Sequence, residues 1–385
     1  MPPDLASSVS ASATSQRPQQ LADVRRLVVK IGSSSLTGPD GQLHRPTIRR
    51  LVRDLALLHA QGLEVILVSS GAVAAGMGRL GIAERPTLIA ELQAVAAVGQ
   101  NLLVHTYESL FRRHDVPVGQ VLLTAGDILD DRQRYNHVRN TLRQLFALGV
   151  VPVINENDSV AVAELRRALG DNDMLAAYVA NLVQAQLLVI LSDVEGVYSR
   201  YVAGKGDGLL TEVAPDQELG PQGGGNRLGR GGIETKLRAA RLLTTCGEMT
   251  IVAHARKHRL PEILAGKQVG TLFLPRGKRM GSRKRWIGFA SPPRGTVTVD
   301  DGAVKAITRL GRSLLPAGVV GSAGEFAAGD VVRIADGQGR EVARGLCRYG
   351  CSDIERIRGQ RSAVVEKTLG QKSLEVIHRD DLVLM

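Results

Sequence analysis

Residues 26–36, RLVVKIGSSSL, decide the fold. A short β-branched and leucine-rich run leads straight into Gly32 and three serines. The run is continuously apolar rather than alternating, as expected of a strand buried on both faces of a parallel sheet. The pattern recurs at LEVILVSSG (63–71), PVGQVLLT (117–124), VVPVINEND (150–158), QLLVILSD (186–193) and EMTIVA (248–253). Between these runs, residues 47–62, 87–114, 138–149 and 173–184 carry apolar side chains at the i, i+3, i+4 spacing of amphipathic helices. Alternation of this kind predicts an α/β fold, a mainly parallel sheet with helices on both faces in three αβα layers. Ligands of such sheets sit beyond the carboxyl ends of the strands.

Outside this stretch the pattern changes. Residues 1–22 are rich in Ser, Ala, Pro and Gln without apolar periodicity, and are expected to be a disordered tail. Residues 276–285, RGKRMGSRKR, hold six basic side chains and no acid, which marks a domain boundary. Beyond it, TVTVDDGA (296–303), VVRIADGQGREVARGLCRY (331–349) and LEVIHRDDLVLM (374–385) place short strands around Asp-Gly and Gly-rich turns. That is the pattern of a small β-barrel. The expected division is a tail over 1–22, an α/β domain over 23–275, a basic linker over 276–290 and a small barrel over 291–385.

The chain of 385 residues is long enough for two cores, and its three cysteines suit a reduced, cytoplasmic setting. No uncharged apolar run reaches the length of a membrane span of about 18 residues. The net charge is +11. Residues 1–275 contribute 29 basic and 26 acidic side chains, residues 276–385 contribute 20 and 12, and the basic linker accounts for six of those 20. The charge is therefore concentrated in the linker, with both domains nearly balanced.

The polar residues cluster where the strands end. Lys30 closes the first strand and is followed by Gly32, Ser33, Ser34 and Ser35, small residues that let backbone N–H groups converge on an anion near a point charge. Ser69, Ser70, Gly71 and Ala72 open a helix after the second strand, a further anion site. Asn155, Glu156, Asn157 and Asp158 end another strand, and Gly170, Asp171, Asn172 and Asp173 lead into a helix. Asp and Asn there also serve as caps and turns. Two such clusters in one crevice with Lys30 suit a small zwitterion, whose ammonium needs carboxylates and carbonyls.

A further strand ends in Ser192 and Asp193, and six glycines between 223 and 232 precede a helix with Lys236 in its first turn. A Gly-rich loop feeding a helix N-terminus meets the backbone and dipole requirements of polyphosphate binding. GxxxxGK[ST] is absent from the sequence, as is a strand-linked GxGxxG. Two lysines at separate element ends, with carboxylates between them, point to phosphoryl transfer by charge neutralisation and alignment. The missing nucleophile and histidine base are consistent with a carboxylate acceptor, already ionised at neutral pH.

These residues give the chain a family likeness. VVKIGSSSLT (28–37), VSSGAVAAG (68–76), LLTAGDILDDRQRYNHVRNTL (122–142), VVPVINENDSVAVAEL (150–165), GDND (170–173), LSDVEGVY (191–198), GGIETKL (231–237), RKRWIGF (283–289) and GRSLLPAGV (311–319) stand in family order. The chain resembles the glutamate 5-kinase family of amino acid kinases, in the long form with a C-terminal PUA domain. The likeness runs from residue 24 almost to the end. INEND with GDND, RKRWI and SLLPAGV is a combination that related kinases for aspartate, acetylglutamate, carbamate or UMP do not share.

The resemblance implies that ATP with Mg²⁺ phosphorylates L-glutamate at its γ-carboxylate, the first step of proline biosynthesis. By that resemblance Lys30 and Lys236 bind the phosphates and stabilise the transferring group, with Asp173 holding both lysines. Ser70, Gly71, Asn155, Asp158 and Asn172 bind glutamate. Ser192, Asp193 and the segment Arg230, Gly231, Gly232, Ile233, Glu234, Thr235 and Lys236 line the ATP site, with no dedicated protein metal site. Arg230 stands where the family usually has Thr, and Ile233 where it has Met; the stretch between Glu164 and Gly170 is two residues longer than usual. Proline as inhibitor, glutamyl phosphate reductase as partner and a homodimer or homotetramer are further implications, and no membrane is involved.

The eight histidines show no metal spacing and are expected in structural or surface roles. Cys347 and Cys351 lack the second pair of a zinc ribbon, so packing is expected for them, and burial for Cys246. Two other functions stay open: a kinase with another carboxylate acceptor, and a PUA protein that binds or modifies RNA. Against RNA, one Trp, six Tyr and five Phe leave few stacking platforms, and the linker is the place where phosphates would be met.

Overall fold

The computed structural model describes residues 16–38, 41–129, 132–160, 172–202, 205–215, 217–220, 232–360, 364–365, 367 and 375–385. The six runs marked in the sequence are strands β1 (Arg26–Ile31), β2 (Glu64–Ser69), β3 (Val118–Leu123), β4 (Val151–Glu156), β5 (Leu187–Ser192) and, after a hairpin and a short strand, β9 (Met249–His254). The hairpin is β6 (Tyr198–Val202) with β7 (Lys205–Leu209); β8 (Glu212–Val213) and β10 (Thr271–Phe273) complete the large sheet. Its order is β3-β4-β2-β1-β5-β9-β10-β8. Pairing is parallel throughout except between β9 and β10.

The alternation of side chains along each strand divides the core into two layers. Leu27, Val29 and Ile31 face the helices Arg45–Ala60 and Ile89–Phe111. Val28 faces the helices Arg132–Ala147, Asn172–Val183 and Ile233–Thr245. Lys30, two residues beyond Val28, therefore points into the second layer. Strand β1 also lies at the topological switch, because the chain leaves it for β2 on one side and returns at β5 on the other. The crevice beyond its carboxyl end is the expected place for a ligand.

Two expectations are corrected. Strand β3 is not buried on both faces, because it is the sheet edge and Gln120 is exposed. The tail does not extend to residue 22: Arg17–Leu21 is a helix, Pro18 lies against Gly266, and Arg17 donates to Val269 O at 2.8 Å. Leu21 and Val24 are buried in the first layer, so this short segment gains the apolar contacts that its composition had seemed to deny it. Residues 1–15 of the expected tail lie outside the described residues.

The C-terminal sheet contains β11 (Gly295–Val299), β12 (Val319–Gly324), β13 (Val331–Ala335), β14 (Glu341–Leu346) and β15 (Leu382–Leu384), in the order β12-β11-β13-β14-β15. Two helices that the sequence pattern had not marked, Asp301–Thr308 and Cys351–Ile357, pack on its core. Cys246 and Cys347 are buried and Cys351 is half-buried, all as free thiols. Among the described residues no helix is long and apolar enough to cross a membrane.

Candidate active site

The crevice at the end of β1 is organised by two adjacent residues, Asn172 and Asp173, that begin the helix Asn172–Val183. Neighbours on a helix point about 100° apart, so the two side chains divide the crevice into two lobes.

Asp173 governs the first lobe. Its Oδ1 lies 2.6 Å from Lys30 Nζ, and its Oδ2 accepts from Lys236 Nζ at 3.0 Å. The three side chains are 0%, 2% and 5% exposed respectively, so a charge cluster of net +1 sits almost out of water. Burial alone would push the Asp173 carboxyl up. The charges and hydrogen bonds of Lys30 and Lys236 outweigh that and hold it well below the usual carboxylate range. An ammonium group carries three N–H donors, so each lysine can bond more than one acceptor at once. Gly32 borders the lobe, since a side chain there would begin 3.7 Å from Lys30 Nζ.

Lys236 reaches Asp173 because Gly232 caps the helix Ile233–Thr245 and sets its first turn against the carboxylate. The single hydroxyl proton of Thr235 is shared between Asp173 Oδ2 at 3.0 Å and Gly232 O at 2.9 Å. Of its neighbours, Ile233 packs against the second core layer and Glu234 faces solvent. Ser192 lies two residues beyond Ile190, on the same face of the sheet as Lys30, and donates to Asp193 Oδ1 at 3.0 Å. Ser192 is buried and Asp193 exposed at the mouth. The expected contributions of Arg230 and Gly231 lie outside the described residues, as do those of Gly170, Asp171 and the lengthened stretch before them.

Asn172 governs the second lobe. Its Nδ2 lies 2.9 Å from Ser70 Oγ, 2.8 Å from Asn155 Oδ1 and 3.1 Å from Ser69 O. Gly71 follows Ser70 at φ +106° and caps the helix Ala72–Leu80, a backbone angle that favours glycine. Asp158 is half-buried in the turn after β4. Of the sequence-marked residues, Lys30, Asp173 and Lys236 are thus brought together on one side, and Ser70, Asn155 and Asn172 on the other.

Two contributors escaped the sequence reading. Gln100 accepts from Asn155 Nδ2 at 2.7 Å, which with Glu156 N donating to Asn155 Oδ1 at 2.9 Å fixes the orientation of that amide. Tyr107 Oη lies 2.9 Å from Ser69 Oγ, and burial pushes its phenol far up despite that bond. Both belong to the helix Ile89–Phe111. The available signal was the amide pair Gln100–Asn101 directly after the small, apolar run Ala94–Gly99. That helix approaches the helix Ala72–Leu80 very closely: a side chain at Gly99 would begin 1.8 Å from Ala72 O.

The linker departs from its expected role as a free basic surface. Arg279 and Arg285 both pair with Glu248, and Arg283 pairs with Asp381. Arg132 stacks over Trp286 with its guanidinium carbon 4.9 Å from the ring centre. Among the described residues no group of three or more His, Cys, Asp or Glu is gathered for a metal ion.

Comparison with known proteins adds to this geometry. Residues 25–253 match the amino acid kinase family and residues 295–369 match the PUA domain. The glutamate 5-kinase of Moorella thermoacetica is 44% identical over 95% of this chain and 97% of its own. That of Thioalkalivibrio sulfidiphilus is 47% identical over 96% and 100%. A solved carbamate kinase from Giardia is 15% identical, with a TM-score of 0.46 over 66% of this chain and 100% of that one.

Proposed function

The chain belongs to the amino acid kinase family and, within it, to the glutamate 5-kinases, and from that premise we propose how its crevice works. The enzyme transfers the γ-phosphoryl group of ATP to the γ-carboxylate of L-glutamate, giving L-glutamyl 5-phosphate and ADP. The observation that carries this reading is the single carboxylate of Asp173 holding Lys30 and Lys236 from two directions.

The acceptor is an anion approaching another anion, so repulsion must be offset and no base is needed. Lys30 and Lys236 supply the offset from fixed positions, which avoids reorganisation during transfer. Asp173 keeps both ammonium groups aligned without itself accepting a proton. Thr235 steadies Asp173, and Ser192 and Asp193 flank the nucleotide side. Arg230, Gly231, Gly232, Ile233 and Glu234 are assigned to the nucleotide loop. The Ile233 side chain is packed on the second core layer and that of Glu234 is exposed, so contacts to nucleotide there are assigned to their backbone.

Glutamate occupies the second lobe. Its ammonium is met by Asp158 and neighbouring oxygens, and its carboxylates by Ser70, the Gly71 N–H and the amides of Asn155 and Asn172. Mg²⁺ carried on the ATP phosphates withdraws charge from the transferring group. The ion would arrive with ATP rather than on protein ligands, since the Asp173 carboxylate is already engaged by two lysines.

The domain limits are assigned as 23–275 for the kinase, extended at its start by the packed helix Arg17–Leu21, with 276–290 for the joint and 291–385 for the PUA-like unit. The chain acts in the cytoplasm as a homo-oligomer. Proline inhibits it, and its labile acyl phosphate passes to glutamyl phosphate reductase. The test is ADP release across glutamate, aspartate, acetylglutamate, carbamate and UMP. Turnover with glutamate alone is expected; turnover with another acceptor would reassign the substrate.

A further inference from the structure

The segment RGKRMGSRKR, whose charge suggested a nucleic-acid contact, lies along the kinase domain with most of its residues exposed and its last one, Arg285, buried. Arg285 is 1% exposed, and its partners Glu248 and Asn181 are 2% and 1% exposed. Besides its ion pair with Glu248, Arg285 donates to Asn181 Oδ1 at 3.3 Å, Cys246 O at 3.3 Å and Met280 O at 2.7 Å. Asn181 lies in the last turn of the helix Asn172–Val183, and Cys246 caps the helix Ile233–Thr245.

The linker backbone serves the end of the helix Ile233–Thr245, and its side chains reach the end of the helix Asn172–Val183. Arg276 N donates to Thr244 O at 2.7 Å, and Met280 N to Cys246 O at 3.0 Å. Arg279 donates to Gln184 O at 2.8 Å, and Gln184 Nε2 donates to Ser282 Oγ. Gly247, at φ +84°, lets the linker pass, since a side chain there would begin 2.7 Å from Arg279 Cα. Terminal carbonyls of a helix need such partners, and cations there complement the helix dipole.

Both capped helices carry the candidate catalytic groups at their opposite ends, Asp173 on one and Lys236 on the other. We propose that the linker, with Arg285 at its centre, is a clamp that fixes the relative position of these helices and so aligns Lys236 with Asp173 and Lys30. The proposal rests on the kinase reading and deepens it. Each helix spans 12 or 13 residues, or about 20 Å, and behaves as a short rigid rod. A tilt released at the carboxyl end shifts the amino end, and a displacement of about 1 Å at reacting groups costs up to about 10²-fold in rate. Arg suits the task because its planar fork reaches several acceptors at once. The clamp also reaches the C-terminal domain, through Arg283 with Asp381 and through Arg344 donating to Gly288 O at 2.9 Å.

Arg285 and Asn181 are positioning residues, and the test separates alignment from stability. Turnover per folded molecule, both Michaelis constants and the melting temperature are measured for wild type, Arg285→Met, Arg285→Lys and Asn181→Ala. Wild-type turnover with glutamate reports on the kinase reading, and the variant-to-wild-type ratio reports on the clamp. Arg285→Met is expected to lower kcat about tenfold or more, with KM for ATP and glutamate within about twofold. Lys at 285 lacks the fork and fails to rescue. Asn181→Ala lowers kcat about threefold while remaining folded, and decides the matter if Arg285→Met does not fold. A melting temperature that falls while kcat per folded molecule stays at the wild-type value in both substitutions overturns the proposal.

Discussion

Lys30 and Asp173 lie far apart in sequence, yet their charged atoms sit 2.6 Å apart in the core. The pair depends on the alternation of β1, which sends Lys30 into the layer where the helix Asn172–Val183 begins. Because Lys236 uses the other oxygen of the same carboxylate, Asp173→Asn weakens the hold on both lysines together. Turnover is expected to fall at least about 10²-fold, measured as kcat at saturating ATP and glutamate.

Removing either lysine deletes a fixed cation from the proposed site of phosphoryl transfer. Lys30→Ala and Lys236→Ala each lower kcat by at least about 10²-fold, the usual scale for one preorganised donor. Near-normal turnover in either removes that lysine from the mechanism.

The pH dependence follows from the depressed Asp173 carboxyl. The unfolded state binds that proton near pH 3.9 or so, about the ordinary Asp value, and the folded state only at lower pH. Stabilisation by the lysines is therefore complete above the unfolded value and is lost as pH falls through the folded one. Urea unfolding should show a stability gap between wild type and Asp173→Asn that is constant between about pH 5 and 8 and shrinks below about pH 4. A gap that closes already at neutral pH contradicts the ion cluster.

Asp158→Ala removes a proposed ammonium partner and is expected to raise KM for glutamate with little change in kcat. A pure kcat defect moves Asp158 to the transferring group.

Gly99→Ala forces a methyl group onto the backbone of the helix that begins behind Gly71. A stability loss of about 3 kcal/mol, at the upper end of overpacking costs, is expected from urea unfolding. A rise in KM for glutamate accompanies it, because Gln100 moves with the helix and orients Asn155 of β4.

The thiols give an independent check on packing. Burial pushes Cys246 up to about 12 and Cys347 up to about 11. At about pH 8 a thiol reagent should modify only Cys351 in the native protein and all three cysteines in denaturant.

The sheet was legible because each buried strand is a continuous apolar run, and the site because polar residues stop those runs at one end. β8 and β10 were not, being two and three residues long. Neither was the helix Arg17–Leu21, whose burial comes from Val269 and Gly266 far along the chain. Gln100 is one of several polar residues on its helix, and only the fold singles it out by bringing it to Asn155. The linker was misleading for a similar reason. Its charge is local in sequence, while its acceptors, Glu248 and two helix ends, are supplied by the fold.

The central claim is that a glutamate carboxylate oxygen attacks phosphorus between Lys30 and Lys236. Glutamate labelled with ¹⁸O in its γ-carboxylate, incubated with ATP, Mg²⁺ and hydroxylamine, tests it directly. Hydroxylamine displaces phosphate at the acyl carbon, so the bridging oxygen leaves with phosphorus. The account predicts γ-glutamyl hydroxamate and phosphate carrying one ¹⁸O in equal amounts, both lost in Lys236→Ala. Unlabelled phosphate without hydroxamate would mean that water, not glutamate, receives the phosphoryl group, and would contradict it.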